Sequence, residues 1–259
     1  MTDELLYERQ GGIGRITLNR PAARNALTFA MYERLAEICA ESDADPAMRA
    51  LIITGAGEKA FAAGTDINQF RAFSSPEDAI AYEARIDRVI GTLEKCRVPT
   101  IAAIAGACTG GGAAIAASCD IRIGAANARF GFPIARTLGN CLSMKNYARL
   151  AGLIGAARVK EIIFTARLVE AEEAQRIGLL SEVLADHAAL QDRATSLAVL
   201  LASHAPLTLR ATKEALRRLR DAAPLPDDED IILSCYMSAD FREGMEAFLT
   251  KRAPVWSGT

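Results

Sequence analysis

Histidine is almost missing from this chain: its 259 residues include only two, His187 and His204, both in the C-terminal third. That scarcity argues against a histidine-built metal site and against a Ser-His-Asp triad. The GxSxG, HExxH and Walker A patterns are absent as well. The six cysteines, at 39, 96, 108, 119, 141 and 235, form no CxxC pair. This argues against structural zinc or a disulfide framework and fits a reducing compartment. No apolar run approaches the ~18–20 residues of a membrane span. The opening "MTDELLYERQ" has neither the basic start nor the apolar core of a secretion signal. A net charge of −2 gives no basic footprint for nucleic acid. The one basic stretch, "LRATKEALRRLR" (209–220), spaces its charges around Leu209, Leu216 and Leu219 and reads as a solvated helix face. The expectation is a cytoplasmic protein with no metal and no nucleic-acid or membrane partner.

What is present is ordinary globular composition, 51% hydrophobic and 24% charged. "LLYERQGGIGRITLNR" reads as two strands around a glycine turn, so the Gly12–Gly14 pair opens no helix and is a poor dinucleotide fingerprint. "TFAMYERLAEICAES" predicts an amphipathic helix capped by Thr28, and Ser75-Pro76 predicts the start of another that runs to Cys96. "RALIITGAG" and "VPTIAAIAG" are buried strands, "GGAAIAASC" is a short helix, and "DIRIGA" is a strand. After "ARFGFPIARTLGNCLS" the chain looks helical apart from "LSEVL" (180–184). This alternation implies an α/β core, taken as 1–200, followed by a helical region, 201–259, with "APLPDDED" (223–230) as a boundary within the tail.

Two glycine-rich turns carry the chemistry. "ACTGGGAAIAASCD" (107–120) places Gly110, Gly111 and Gly112 between a strand and a helix, where the first helical N–H groups lack partners and suit a negatively charged oxygen. "EKAFAAGTDINQF" (58–70) follows the other buried strand and narrows to Ala62, Ala63 and Gly64. Two such turns can each aim one N–H at a single point, the geometry of a two-donor oxyanion hole.

These segments resemble the crotonase, or enoyl-CoA hydratase/isomerase, superfamily. The resemblance runs almost end to end through "LNRPAARNAL", "AFAAGTDI", "ACTGGGAAIAASCDIRI", "ARFGFP", "RLAGLIG" and "EGMEAFLTKRAPVW". It implies an α/β spiral of ββα units with a C-terminal helical trimerisation region, assembling as a homotrimer or homohexamer. The implied ligand is an acyl-CoA thioester, with coenzyme A as part of the substrate and no permanent cofactor. Its carbonyl oxygen would accept from the backbone N–H groups of Thr65 and Gly111. Arg24, Ala62, Ala63, Gly64, Asp66, Ile67, Gly110 and Lys251 fall at positions implied to meet CoA. For Arg24 and Lys251 a solvated surface charge is the competing reading, and for Asp66 a helix cap.

The same resemblance exposes a departure. Hydratases of this family use two glutamates, and the matching positions here are Ala114 and Ile134. Neither side chain can transfer a proton, and general acid–base catalysis typically contributes about 10²–10⁴-fold. The polar residues left nearby in sequence are Arg136, Asn140, Cys141, Ser143 and Lys145. Of these, Arg136, Asn140 and Ser143 are the candidate catalytic side chains, with Arg136 also a candidate for holding an acyl carboxylate. Three readings follow: an enzyme working through a thioester enolate, a decarboxylase or thioester hydrolase among its options; an acyl-CoA-binding protein with little or no turnover; and an unrelated α/β protein binding a nucleotide at the triplet.

Overall fold

Alternating apolar residues build the opening hairpin. The structure, a computed structural model, describes residues 4–71, 73–222 and 229–259. In it β1 (Leu5–Gln10) and β2 (Ile13–Leu18) pair antiparallel, Leu5 opposite Leu18 and Gln10 opposite Ile13. Gly14, Ile16 and Leu18 are buried while their neighbours are half-buried, the period-two pattern of a strand with one face on a core. Gly14 is there for packing: a Cβ would lie 2.6 Å from Leu51 Cδ2.

Thr28 caps α1 (Phe29–Ala44) by accepting from the Met31 N–H, and Met31, Tyr32, Leu35, Ile38 and Cys39 form its buried stripe. Three units then follow, each a long strand, a short strand and a helix. They are β3 (Ala50–Gly55), β4 (Ala60–Ala62) and α2 (Pro76–Lys95); β5 (Thr100–Ile104), β6 (Ala107–Thr109) and α3 (Gly111–Ser118); β7 (Ile121–Ala125), β8 (Arg129–Gly131) and α4 (Ile134–Thr137). Ser75 and Asp78 form a reciprocal capping box at the start of α2, with Pro76 in the first turn. The remainder is α5 (Met144–Ile154), α6 (Ala156–Thr165), β9 (Val169–Glu170), α7 (Ala171–Arg176), β10 (Glu182–Leu184), α8 (His187–Ser203), α9 (Pro206–Arg220), α10 (Glu229–Tyr236) and α11 (Ala239–Thr250).

The long strands, with the three-residue β10 at one edge, form a six-stranded sheet in the order β1-β2-β3-β5-β7-β10, parallel from β2 onward. The short ones form a second sheet, β4-β6-β8-β9, which sequence patterning did not anticipate as strands. One face of the large sheet packs on α8 through Ile52, Ile101 and Ile123 against Leu190, Ala194 and Leu197. The main core, which includes residues of α1, α2 and α3, holds Leu51, Ile53 and Ile104 from alternate positions of the same strands. A third cluster joins Ile67, Phe70, Cys141, Ile232, Tyr236 and Phe241.

Helix α9 buries no residue within the chain. It is tied down by charge instead: Lys213 Nζ meets Asp120 at 2.5 Å, and Arg220 meets Glu94, which also takes Arg149. The boundary expected at 223–230 lies, for residues 223–228, outside the described residues. No described helix is long and apolar enough to cross a membrane.

Candidate active site

Each member of the glycine triplet has its own steric reason. Gly110 is the N-cap of α3 with φ +53° and ψ −121°, and a Cβ on it would approach Gly64 Cα to 3.4 Å. A Cβ on Gly111 would sit 1.9 Å from the Tyr32 hydroxyl, and one on Gly112 would sit 2.5 Å from Ala62 O. The turns 62–65 and 109–112 are therefore pressed together, with no room for side chains between them.

Backbone donors are left over by this arrangement, those of Thr65 and Gly111 among them. Leu27 bridges the first turn by donating to Gly64 O and accepting from the Asp66 N–H, and the intervening Thr65 N–H takes no part. In the second turn the Gly110 N–H goes to Gly131 O, whereas Gly111, first residue of α3, has no acceptor within its helix. Neither the Thr65 nor the Gly111 N–H has a hydrogen-bond partner among the described residues.

Hydroxyl groups crowd the same place. Thr65 Oγ1 lies 2.9 Å from the Tyr32 hydroxyl and 3.0 Å from that of Tyr82. It also lies 3.1 Å from the point a Gly111 Cβ would occupy. Burial, and to a lesser extent the Glu83 carboxylate, push the Tyr32 phenol above its ordinary value, so it stays neutral. The Tyr82 ring packs edge-on to Phe70 at 4.8 Å and to Phe73 at 5.7 Å, beside Tyr236. Behind them the Tyr236 hydroxyl donates to the buried Glu83 carboxylate at 2.5 Å and accepts from Asn140 Nδ2 at 3.1 Å.

The other sequence-predicted residues divide into two groups. Arg24 is brought against the first turn, its carbonyl accepting from the Ala63 N–H, while its side chain is exposed. Ala62 is buried beneath Gly112 and Ile67 lies in the aromatic cluster. Asp66 accepts from the Asn68 N–H as a cap and pairs with Arg20 at 2.9 Å. Burial opposes its charge, but these bonds prevail and hold its carboxyl below the usual range. No side chain of the second group is hydrogen-bonded to either turn among the described residues. Ser143 caps α5 and donates to Asp87 at 2.6 Å, so its hydroxyl has a structural task. Asn140 serves Tyr236, leaving its buried Oδ1 without a partner among the described residues. Arg136 is exposed on α4, and Lys251 is exposed at the C-terminal cap of α11. Ala114 and Ile134 are both buried in the main core. Among the described residues, no group of three His, Cys, Asp or Glu side chains could hold a metal ion.

Sequence reading missed Tyr32, Tyr82, Glu83 and Tyr236. Glu83 left one trace, because it interrupts the otherwise apolar buried stripe of α2 formed by Ala79, Ile86, Ile90 and Leu93.

Residues 8–259 match the family model described as enoyl-CoA hydratase/isomerase. The chain belongs to that family. Its relatives include a probable enoyl-CoA hydratase of Mycobacterium bovis, 38% identical over 98% of both chains. An enoyl-CoA hydratase/carnithine racemase from Magnetospirillum magneticum, 35% identical, superposes with a TM-score of 0.80 over 100% of this chain and 97% of the other. A methylmalonyl-CoA decarboxylase in complex with 2-nitronate-propionyl-CoA, 28% identical, superposes with a TM-score of 0.90 over 100% of both. The crotonase-like α/β spiral expected from sequence is the fold observed. As a member of the enoyl-CoA hydratase/isomerase family the protein is an acyl-CoA-processing enzyme, and the family acts on CoA thioesters without a permanent cofactor.

Proposed function

We propose that the protein binds an acyl-CoA thioester with its carbonyl oxygen on the Thr65 and Gly111 N–H groups and accelerates a reaction through the enolate. The observation carrying this reading is that two partnerless amides come from turns whose glycines touch. Donors fixed before the substrate arrives need no reorganisation as negative charge develops on the oxygen, and each is worth a few kcal/mol in such a site. The CoA chain would run along the backbone of Ala62, Ala63 and Gly64 and past Asp66, Ile67 and Gly110, with Arg24 towards its nucleotide end. Lys251 would reach the phosphates of CoA bound to a neighbouring subunit.

Ala114 and Ile134 narrow the chemistry. Adding water to an unactivated enoyl-CoA needs groups that position and deprotonate it, and these two side chains supply none. Loss of CO₂ from a carboxylated acyl group generates an enolate with no base at all, so decarboxylation suits the residues better than hydration does. The superposition on a decarboxylase supports this choice, while the relatives called hydratases support only the shared thioester. The same missing acids favour a second reading, an acyl-CoA-binding protein with little turnover. Assembly as a trimer or hexamer belongs to the proposal, supported by Leu207, Leu216 and Leu219 standing exposed on α9.

The test is calorimetry with butyryl-CoA and its thioether analogue S-butyl-CoA, which lacks only the carbonyl oxygen. Tighter binding of the thioester is expected; equal affinity would remove the role given to the two amides.

A further inference from the structure

Three hydroxyls meet at Thr65, and counting their hydrogens is informative. Tyr32, Thr65 and Tyr82 bring one O–H hydrogen each, and the contacts at 2.9 and 3.0 Å use two of them. One hydrogen is left for an acceptor outside the trio, whichever way the internal bonds run. Their direction follows from acidity. A phenol is the better donor and an aliphatic hydroxyl the better acceptor, so both tyrosines donate and the Thr65 O–H points away. Receiving two bonds polarises that hydroxyl and strengthens it as a donor.

The surroundings say where an acceptor would be. Thr65 Oγ1 and the Tyr32 hydroxyl stand beside Gly111, at the two amides assigned to the thioester oxygen. Thr65 and Tyr82 are half-buried, so the trio is not sealed off, and its further walls are the rings of Phe70 and Phe73. Neutral hydroxyls in an aromatic setting make a poor lining for a plain hydrocarbon chain. A saturated acyl group would leave the spare O–H unmet, and an unmet buried donor is costly.

We propose that the Tyr32–Thr65–Tyr82 trio binds an oxygen of the acyl group, so that the protein selects thioesters carrying a carboxylate or ketone oxygen close to the thioester carbonyl. This inference rests on the acyl-CoA reading above and specifies the substrate class of that site. The two oxygen sources share the chemistry of an acceptor facing Thr65 Oγ–H.

The experiment is calorimetry of the full chain with malonyl-CoA (a carboxylate), acetoacetyl-CoA (a ketone) and butyryl-CoA (neither), with released acetyl-CoA assayed in the malonyl-CoA samples. At least one oxygenated thioester should bind roughly three- to tenfold tighter than butyryl-CoA, the worth of one hydrogen bond. Thr65→Val should bring that ratio towards one, and Thr65→Ser should keep it. Should the valine variant not fold, Tyr82→Phe, which keeps the ring beside Phe70, should also lower the ratio. Butyryl-CoA binding as tightly as both oxygenated thioesters overturns the inference with no variant needed, and so does a ratio unmoved by the substitutions. Failure of every thioester to outbind free CoA would instead refute the acyl-CoA reading, and this inference with it.

Discussion

The Tyr32 hydroxyl stands 1.9 Å from the point that a Cβ on Gly111 would occupy, so α1 and the glycine triplet are fitted to each other. Gly111→Ala must therefore displace a fully buried tyrosine. A loss of about 1–3 kcal/mol in urea unfolding is expected, the usual size of overpacking. Adding Tyr32→Phe removes the offending oxygen and leaves the ring carbon Cζ, 3.2 Å from the same point, as a near neighbour. The double variant should recover part of the loss, a positive coupling in the mutant cycle.

Hydration of crotonyl-CoA by the wild-type protein should be slow, because Ala114 and Ile134 give water no acid or base. Introducing Ala114→Glu and Ile134→Glu together should raise the rate, and either alone should do little, since one carboxylate must activate the water while the other holds it. Both positions lie in the main core, so unfolding curves must precede the assay. Rapid wild-type hydration, unchanged when Arg136, Asn140 and Ser143 are each replaced by alanine, would place the catalytic groups elsewhere.

Acid should loosen the attachment of α9. Burial alone would raise the Glu94 carboxyl, but hydrogen bonds from Arg220 and Arg149 outweigh it and hold it at about 2, against an ordinary 4.5. A depressed folded-state value means that this stabilisation is complete above about pH 4.5 and is lost as pH falls towards 2. Its size is on the order of 3 kcal/mol. Glu94→Gln should lower Tm at neutral pH, leaving the buried Arg149 without its carboxylate. It should also flatten the fall of Tm with acid relative to wild type; parallel acid limbs would contradict this assignment.

Much of the frame was legible in the sequence because it is local. The Thr28 cap, the Ser75–Pro76 helix start and the buried strands at 50–55 and 100–104 are each written in a few adjacent residues. The second sheet was not legible: Ala60–Ala62, Ala107–Thr109, Arg129–Gly131 and Val169–Glu170 are too short to show a period. The glycine triplet announced a close approach but not its partners. Tyr32, Thr65 and Tyr82 meet only through tertiary packing, and Tyr236 finds Glu83 across 153 positions. Ser143 shows the reverse error: its polarity suggested chemistry, whereas its hydroxyl is taken up by a helix cap and Asp87.

The proposed assembly should appear in sedimentation as a trimer or hexamer. Leu216→Glu with Leu219→Glu places charge on the exposed apolar row of α9 and should disperse it. A wild-type monomer at micromolar concentration would contradict this part of the proposal.

The central claim, that the Thr65 and Gly111 amides hold a thioester oxygen, is tested most directly by infrared difference spectroscopy of butyryl-CoA carrying ¹³C at the thioester carbonyl. Two fixed donors should polarise the bound carbonyl more than water does and move its band to lower frequency. A bound ligand whose carbonyl absorbs at or above its frequency in water would contradict the claim.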